Sequence, residues 1–248
     1  MIIQRLMTTA STLVLGVRVD AVDAEQALDR IGELVESGGR HLVATVNPEF
    51  IMRARRDPDF ARVLESADLC LPDGWGVTWA AQRLGSPLPA RVTGIDLIDP
   101  LAARAAERGW RVFLLGAAPG VAEQVATILR DRHPGLAVAG THAGVAGPEG
   151  DAESVRLITA ARPDILLVAY GHPRQELWID RNRERLPSFV GIGVGGAFDY
   201  LSGRVARAPG WMRRAGLEWL YRLFRQPWRA GRMVALPAFA LEVLRSRG

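Results

Sequence analysis

Apolar runs of strand length alternate with segments of helical period along this chain, and that alternation predicts most of its elements. Thr12–Val19 alternates in polarity and runs into Asp20, as a first strand would. Ala24–Ser37 sets Ala27, Leu28, Ile31, Leu34 and Val35 at helical spacing and stops at Gly38-Gly39, a C-cap signal. His41–Val46 reads as a buried strand, with Thr45 and Asn47 at its carboxyl end and Pro48 opening a helix. A second apolar run, Ala67–Leu71, meets Pro72-Asp73-Gly74 and gives way to a helix from Trp75 to Leu84.

Arg91-Val-Thr-Gly94 then connects to a helix over Asp96–Arg108. Arg111–Leu115 is a strand that Gly116-Ala-Ala-Pro-Gly120 turns into the helix Val121–Arg132, a layout able to place backbone N–H groups around an anion. Leu136–Ala139 and Asp164–Ala169 repeat the theme, with the helix Ala152–Ala161 between them. Gly171-His-Pro-Arg-Gln-Glu176 starts another helix, and Ser188–Gly193 is a last strand, followed by Val194-Gly-Gly-Ala-Phe-Asp199.

Strand and helix alternating in this way predict an α/β fold, a Rossmann-like, mostly parallel sheet with helices on both faces. The expected organisation is an N-terminal segment over 1–11, disordered, an α/β domain over 12–202, and a basic, aromatic-rich helical appendage over 203–248 facing a membrane. Thr45 and Asn47, Asp73, and the turns at Gly116, Gly171–Glu176 and Gly195–Asp199 all follow strand ends. In a parallel sheet those ends share one edge, where open α/β sheets hold their ligands.

Composition narrows the class. A chain of 248 residues can bury a full core. The single cysteine, Cys70, excludes an internal disulfide framework and reads as a small core residue. His41, His133, His142 and His172 show no metal-ligand spacing. Met1–Val17 does not have the form of a signal peptide, and no apolar run reaches the ~18 residues that span a bilayer. All 31 basic residues are arginine. Gly203–Gly248 holds ten of them against two glutamates, a balance of +8, while the rest of the chain carries −4. A tail so basic calls for an anionic partner, whether nucleic acid, phospholipid headgroups or a phosphorylated substrate.

Candidate chemistry centres on Asp73, an isolated carboxylate between a strand end and a helix. It reads either as the cap of a strand-to-helix turn or as a functional carboxylate at the edge where such sheets hold their ligands. Gly191-Ile-Gly193-Val-Gly-Gly196 matches the glycine spacing of a dinucleotide fingerprint. Its first glycine falls inside the strand, and an Arg- and Trp-rich stretch follows where a helix and second strand belong, so it predicts close backbone packing and no nicotinamide cofactor. Asp57-Pro-Asp59 has Asp-x-Asp metal-site spacing but opens a helix, where capping accounts for it, and no metal is expected. Trp211, Met212, Trp219, Leu220, Leu223, Phe224 and Trp228 are interleaved with arginines, which suits a membrane interface or stacked nucleic-acid bases. Met233–Leu244 is apolar but short and broken by Pro237, so it can lie on a bilayer without crossing it.

Seven motifs in order resemble the WecG/TagA/CpsF family of glycosyltransferases, from Leu15 to Arg232. They are Thr45-Val-Asn47, Leu71-Pro-Asp-Gly74, Arg91-Val-Thr-Gly94, Gly171-His-Pro-Arg-Gln-Glu176, Gly193-Val-Gly-Gly-Ala-Phe-Asp199, Arg207-Ala-Pro209 and Gly216-Leu-Glu-Trp-Leu-Tyr-Arg222. The resemblance implies an inverting transferase that moves N-acetylmannosamine or its uronic acid from a UDP donor to an undecaprenyl-diphosphate-linked sugar, with no cofactor, metal or covalent enzyme intermediate. It implies further that Asp73 is the general base, that Arg91 stabilises the departing diphosphate, and that Thr45, Asn47 and Gln175 hydrogen-bond the sugar. Gly195 and Asp199 would then lie near the nucleotide, and Arg222, Arg229 and Arg232 would meet the lipid diphosphate. The expected location is cytoplasmic, at the inner face of the cell membrane. Arg174 stands where the family usually has Lys, and Gly144-Val-Ala146 lacks the aromatic pair usual after that glycine. The alternatives are a nucleic-acid-binding α/β protein using the Arg/Trp tail and, after it, a nicotinamide-dependent reductase.

Overall fold

A computed structural model describes residues 10–214, 218–225 and 235–246 of the chain. Residues 1–9, most of the segment expected to be disordered, lie outside them. The first expected strand is in fact two. β1 (Ser11–Val14) and β2 (Val17–Asp20) pair antiparallel across Leu15-Gly16. Both turn residues take positive φ, 50° and 89°, the backbone that a two-residue hairpin turn requires. Polarity alternates straight through such a turn, so the pattern alone hides it.

From there the chain alternates as expected, through α1 (Ala24–Ser37), β3 (Arg40–Val46), α2 (Pro48–Ala54), α3 (Pro58–Glu65), β4 (Leu69–Pro72), α4 (Trp75–Arg83) and α5 (Gly94–Arg108). It continues with β5 (Arg111–Gly116), α6 (Val121–Arg132), β6 (Ala137–His142), α7 (Asp151–Ala161), β7 (Ile165–Ala169), α8 (Arg174–Asn182), β8 (Phe189–Gly193) and α9 (Ala197–Leu201). Local signals set several of these boundaries. Asp23 and Gln26 form a reciprocal capping box on α1, and Asn47 and Asp57 cap α2 and α3, each followed by Pro.

β3 to β8 form one six-stranded sheet in the order β4-β3-β8-β7-β5-β6, parallel throughout. The connection after β5 leaves toward β6 and that after β7 toward β8, so neighbouring strands feed opposite directions and open a crevice between their carboxyl ends. Successive strand residues serve opposite faces. Leu69, Leu71, Val112, Leu114, Ile165, Leu167, Val190 and Ile192 pack with α1, α5, α6 and α9. Leu42, Ala44, Cys70, Phe113, Leu115, Leu166 and Val168 pack with the β1–β2 hairpin, α2, α3, α4 and α8. Burial on both faces is why these strands read as continuous apolar runs. Cys70 is buried as expected, and desolvation pushes its thiol up to about 11.

Beyond Ser202 the described residues form α10 (Gly210–Arg214), α11 (Glu218–Arg225) and α12 (Ala235–Arg245). α12 packs against α2 and α4, with Phe239 and Val243 buried in the second core and Glu242 paired to Arg55 at 2.8 Å. The last helix of the stretch expected as an appendage is therefore part of the wall of the α/β body.

Candidate active site

Register brings the candidate groups together. Val46 of β3 pairs with Pro72 of β4, so Asn47 and Asp73 are the next residues on adjacent parallel strands. The Asp73 N–H donates to Val46 O at 2.8 Å, which carries the pairing one residue beyond the strand. Val92 N donates to Pro72 O at 2.9 Å, which brings the Arg91 connector alongside the same strand end. Gly74 is the N-cap residue of α4, and its φ of 104° makes the sharp exit after Asp73. Two residues on, a Cβ at Gly76 would lie 2.7 Å from Pro48 Cγ, so only glycine lets the first turns of α2 and α4 touch.

Asp73, Asn47 and Arg91 are half-buried at this edge. Asn47 Oδ1 accepts from Glu49 N and Phe50 N as the cap of α2, which fixes the side chain and leaves its amide nitrogen to donate. Thr45 and Gln175, expected to reach a sugar, both have protein partners. Thr45 is 4 % exposed and donates its hydroxyl to Gly193 O at 2.9 Å. Gln175 is 1 % exposed; its Oε1 accepts from Gly171 N at 3.0 Å and Gly195 N at 2.9 Å, and its Nε2 donates to Glu176 Oε1 at 2.7 Å. These two side chains hold the turns after β7 and β8. Gly195 has open space where a Cβ would stand, and half-buried Asp199 follows on α9.

Two acids to which the sequence assigns no role are integral to this edge. Glu176 lies fully buried beneath the Gly193 strand end. Asp96, in the first turn of α5, receives Thr93 Oγ1 at 2.7 Å and both Arg207 terminal nitrogens at 2.5 and 2.9 Å. Burial alone would raise the Asp96 carboxyl, but the hydrogen bonds from Arg207 and Thr93 and the charges of Arg207 and Arg91 hold it below the usual carboxylate range. Arg207 also approaches Glu218 of α11 at 3.6 Å, so one guanidinium joins the site edge to the Arg/Trp stretch. A glycine ending a strand and an acid two residues after an arginine motif are faint signals, because neither names its distant partner.

Arg229 and Arg232, and Gly216 and Leu217 of the last motif, lie outside the described residues. Arg222 falls on α11. Gly191 is packed between Phe189 and Ile179 inside β8, where a Cβ would come within 2.8 Å of the Phe189 ring, which accounts for the dinucleotide-like glycine spacing. Asp57 caps α3 and pairs with Arg53 at 2.6 Å, and among the described residues no group of three or more His, Cys, Asp or Glu is placed to hold a metal ion.

The arrangement is thus a carboxylate, a donating amide and a guanidinium at one sheet edge, ringed by helix N-termini. The model of the glycosyl transferase WecG/TagA/CpsF family matches residues 12–248. A Bacillus subtilis (strain 168) protein named N-acetylglucosaminyldiphosphoundecaprenol N-acetyl-beta-D-mannosaminyltransferase is 39% identical, the match covering 82% of this chain and 79% of that protein. A Staphylococcus aureus (strain MW2) protein of the same name is 31% identical over 100% of this chain and 97% of its own. With a family match spanning nearly the whole chain, and with the sheet-edge site in the order its motifs require, this chain belongs to the WecG/TagA/CpsF family of glycosyltransferases.

Proposed function

We propose that this enzyme transfers an N-acetylmannosamine-type sugar from a UDP donor to a sugar carried on undecaprenyl diphosphate, with inversion, at an anionic membrane surface. The names of the relatives support the acceptor and the sugar. The observation that carries the mechanism is the adjacency of Asp73 and Asn47 at neighbouring strand ends, with Arg91 alongside.

In that reaction the acceptor hydroxyl oxygen attacks the anomeric carbon as its proton passes to the Asp73 carboxylate. The bond from that carbon to the UDP oxygen breaks, and UDP departs with the electron pair. An alcohol is a poor nucleophile at neutral pH, and a positioned carboxylate contributes about 10²–10⁴-fold. Arg91 faces the charge growing on the leaving diphosphate, and the N-termini of the helices that follow the strands add their dipoles. Asn47 donates to the sugar; Thr45 and Gln175 act on it through the turns they hold. Gly195 and Asp199 border the nucleotide, and Arg222, Arg229 and Arg232 meet the lipid diphosphate.

No helix among the described residues is long and apolar enough to cross a membrane. The exposed Trp219 and Phe224 of α11, within an Arg-rich stretch, support contact with a membrane surface. A nucleic-acid partner gains no such support, since Arg207 of that stretch is engaged by Asp96 and Glu218. The test is Asp73→Asn, assayed with UDP-sugar and a soluble lipid-diphosphate acceptor. It should bind UDP as wild type does and lose about 10²–10⁴-fold in transfer; near-normal turnover removes the base assignment.

A further inference from the structure

Glu176 follows Gln175 on the first turn of α8 and is 0 % exposed. Its Oε1 accepts from Gln175 Nε2, and its Oε2 has no hydrogen-bond partner among the described residues. An amide whose oxygen already accepts from Gly171 and Gly195 must turn its nitrogen toward an acceptor, and Glu176 is that acceptor. We propose that Glu176 is a positioning residue of the donor site: its carboxyl group sets the orientation of the Gln175 amide, which holds the Gly171 and Gly195 turns where they border the donor diphosphate. The inference rests on the reading above that the Gly195 turn borders the nucleotide.

A carboxyl group in this position carries a consequence for charge. Burial raises it to about 7, opposed only in part by the hydrogen bonds from Gln175 and its own backbone. No neighbouring charge is among the causes. β8 holds no titratable residue, and Arg40 and His41 stand at the opposite end of β3. α3 carries Asp59, Arg62 and Glu65, of which Arg62 pairs with Asp180 on a later turn of α8. Arg183, Glu184 and Arg185 follow the far end of α8. In the preceding turn are His172 and Arg174, the latter donating to Tyr170 O, and Asp199 follows the Gly195 turn. Protonated, Glu176 orients Gln175 without placing charge behind Gly195. Ionised, it sets an anion one amide away from where a diphosphate binds, so donor binding favours the protonated form.

The experiment is UDP titration by calorimetry from about pH 6 to about pH 8.5 for wild type, Glu176→Gln and Glu176→Leu. Wild-type affinity should fall as pH rises through about 7, by up to about tenfold per unit, beyond the change due to UDP itself. Glu176→Gln keeps the acceptor and cannot ionise, so only the change due to UDP should remain. Glu176→Leu removes the acceptor and should weaken UDP binding about tenfold or more even at the acid end, where Glu176→Gln does not. A Glu176→Gln profile that follows wild type, or a Glu176→Leu protein that binds as tightly as Glu176→Gln, overturns the proposal while leaving the donor reading intact. Wild type that binds no UDP at any pH overturns the donor reading itself. Should Glu176→Gln not fold, proton uptake by wild type on binding UDP near neutrality, measured in buffers of different ionisation enthalpy, decides the matter: uptake supports the proposal, and none overturns it.

Discussion

A Cβ built on Gly193 would lie 2.3 Å from Glu176 Oε1 and 2.5 Å from Gln175 Nε2, so no side chain fits at this strand end without displacing that pair. Gly193→Ala should therefore cost about 1–3 kcal/mol in urea unfolding, the range for overpacking a well-filled core. It should weaken UDP binding as well, because the turns held by Gln175 move with it. Glu176 makes a second prediction at this scale. Its carboxyl has an ordinary value of 4.5 and a native value of about 7, so the folded protein keeps a proton that the unfolded chain releases. Stability from this group is full below the lower value and falls as pH rises between the two. Glu176→Gln has no such loss. Its melting temperature relative to wild type should climb across that window and level off above it; a constant difference would show that the carboxyl titrates normally.

The first turn of α5 is the element on which site and C-terminal stretch meet. Thr93 Oγ1 accepts from Asp96 N at 3.2 Å as the helix cap and donates to the Asp96 carboxylate, which Arg207 grips with two nitrogens. Asp96→Asn should therefore loosen the Arg/Trp stretch and lower transfer about tenfold, while changing global stability by less than about 1 kcal/mol, as expected of a half-exposed pair. Limited trypsin digestion should show faster cleavage beyond Arg207, and an unchanged pattern would sever the link. The carboxyl is held below its ordinary 3.8, so this anchorage persists through neutral pH and is lost only as pH falls through the acid range. Pairings of this kind separate what the sequence discloses from what it withholds. Helix limits such as Ala24–Ser37 and Val121–Arg132 were legible because caps and periodicity are local. The convergence of Asp73 and Asn47 was legible because parallel strand ends must share an edge. The partners of Asp96 and Gln175 were not, since they depend on contacts 111 and 20 residues away. Thr45 and Gln175 have the residue types of sugar ligands, and nothing local reveals that a backbone carbonyl or N–H has claimed them.

Across the whole molecule, charge and packing divide the chain differently from one another. Charge marks everything after Ser202 as a separate basic tail, yet α12 buries Phe239 and Val243 in the same core as Phe50. Truncation near Ser202 would strip that core, so loss of membrane binding in such a chain would report on folding as much as on the surface. The cleaner test replaces the exposed Trp219 and Phe224 together with serine. The double variant should melt within about 1 kcal/mol of wild type, as surface substitutions do, and should sediment several-fold less with anionic liposomes; equal sedimentation would count against α11 as the contact.

Because Arg207 is held by Asp96 on one side of the Arg/Trp stretch and α12 is packed into the core on the other, the described residues flanking that stretch are tied to the α/β body at both ends. A single proteolytic nick inside the stretch should leave two fragments that travel together through gel filtration and part only in denaturant.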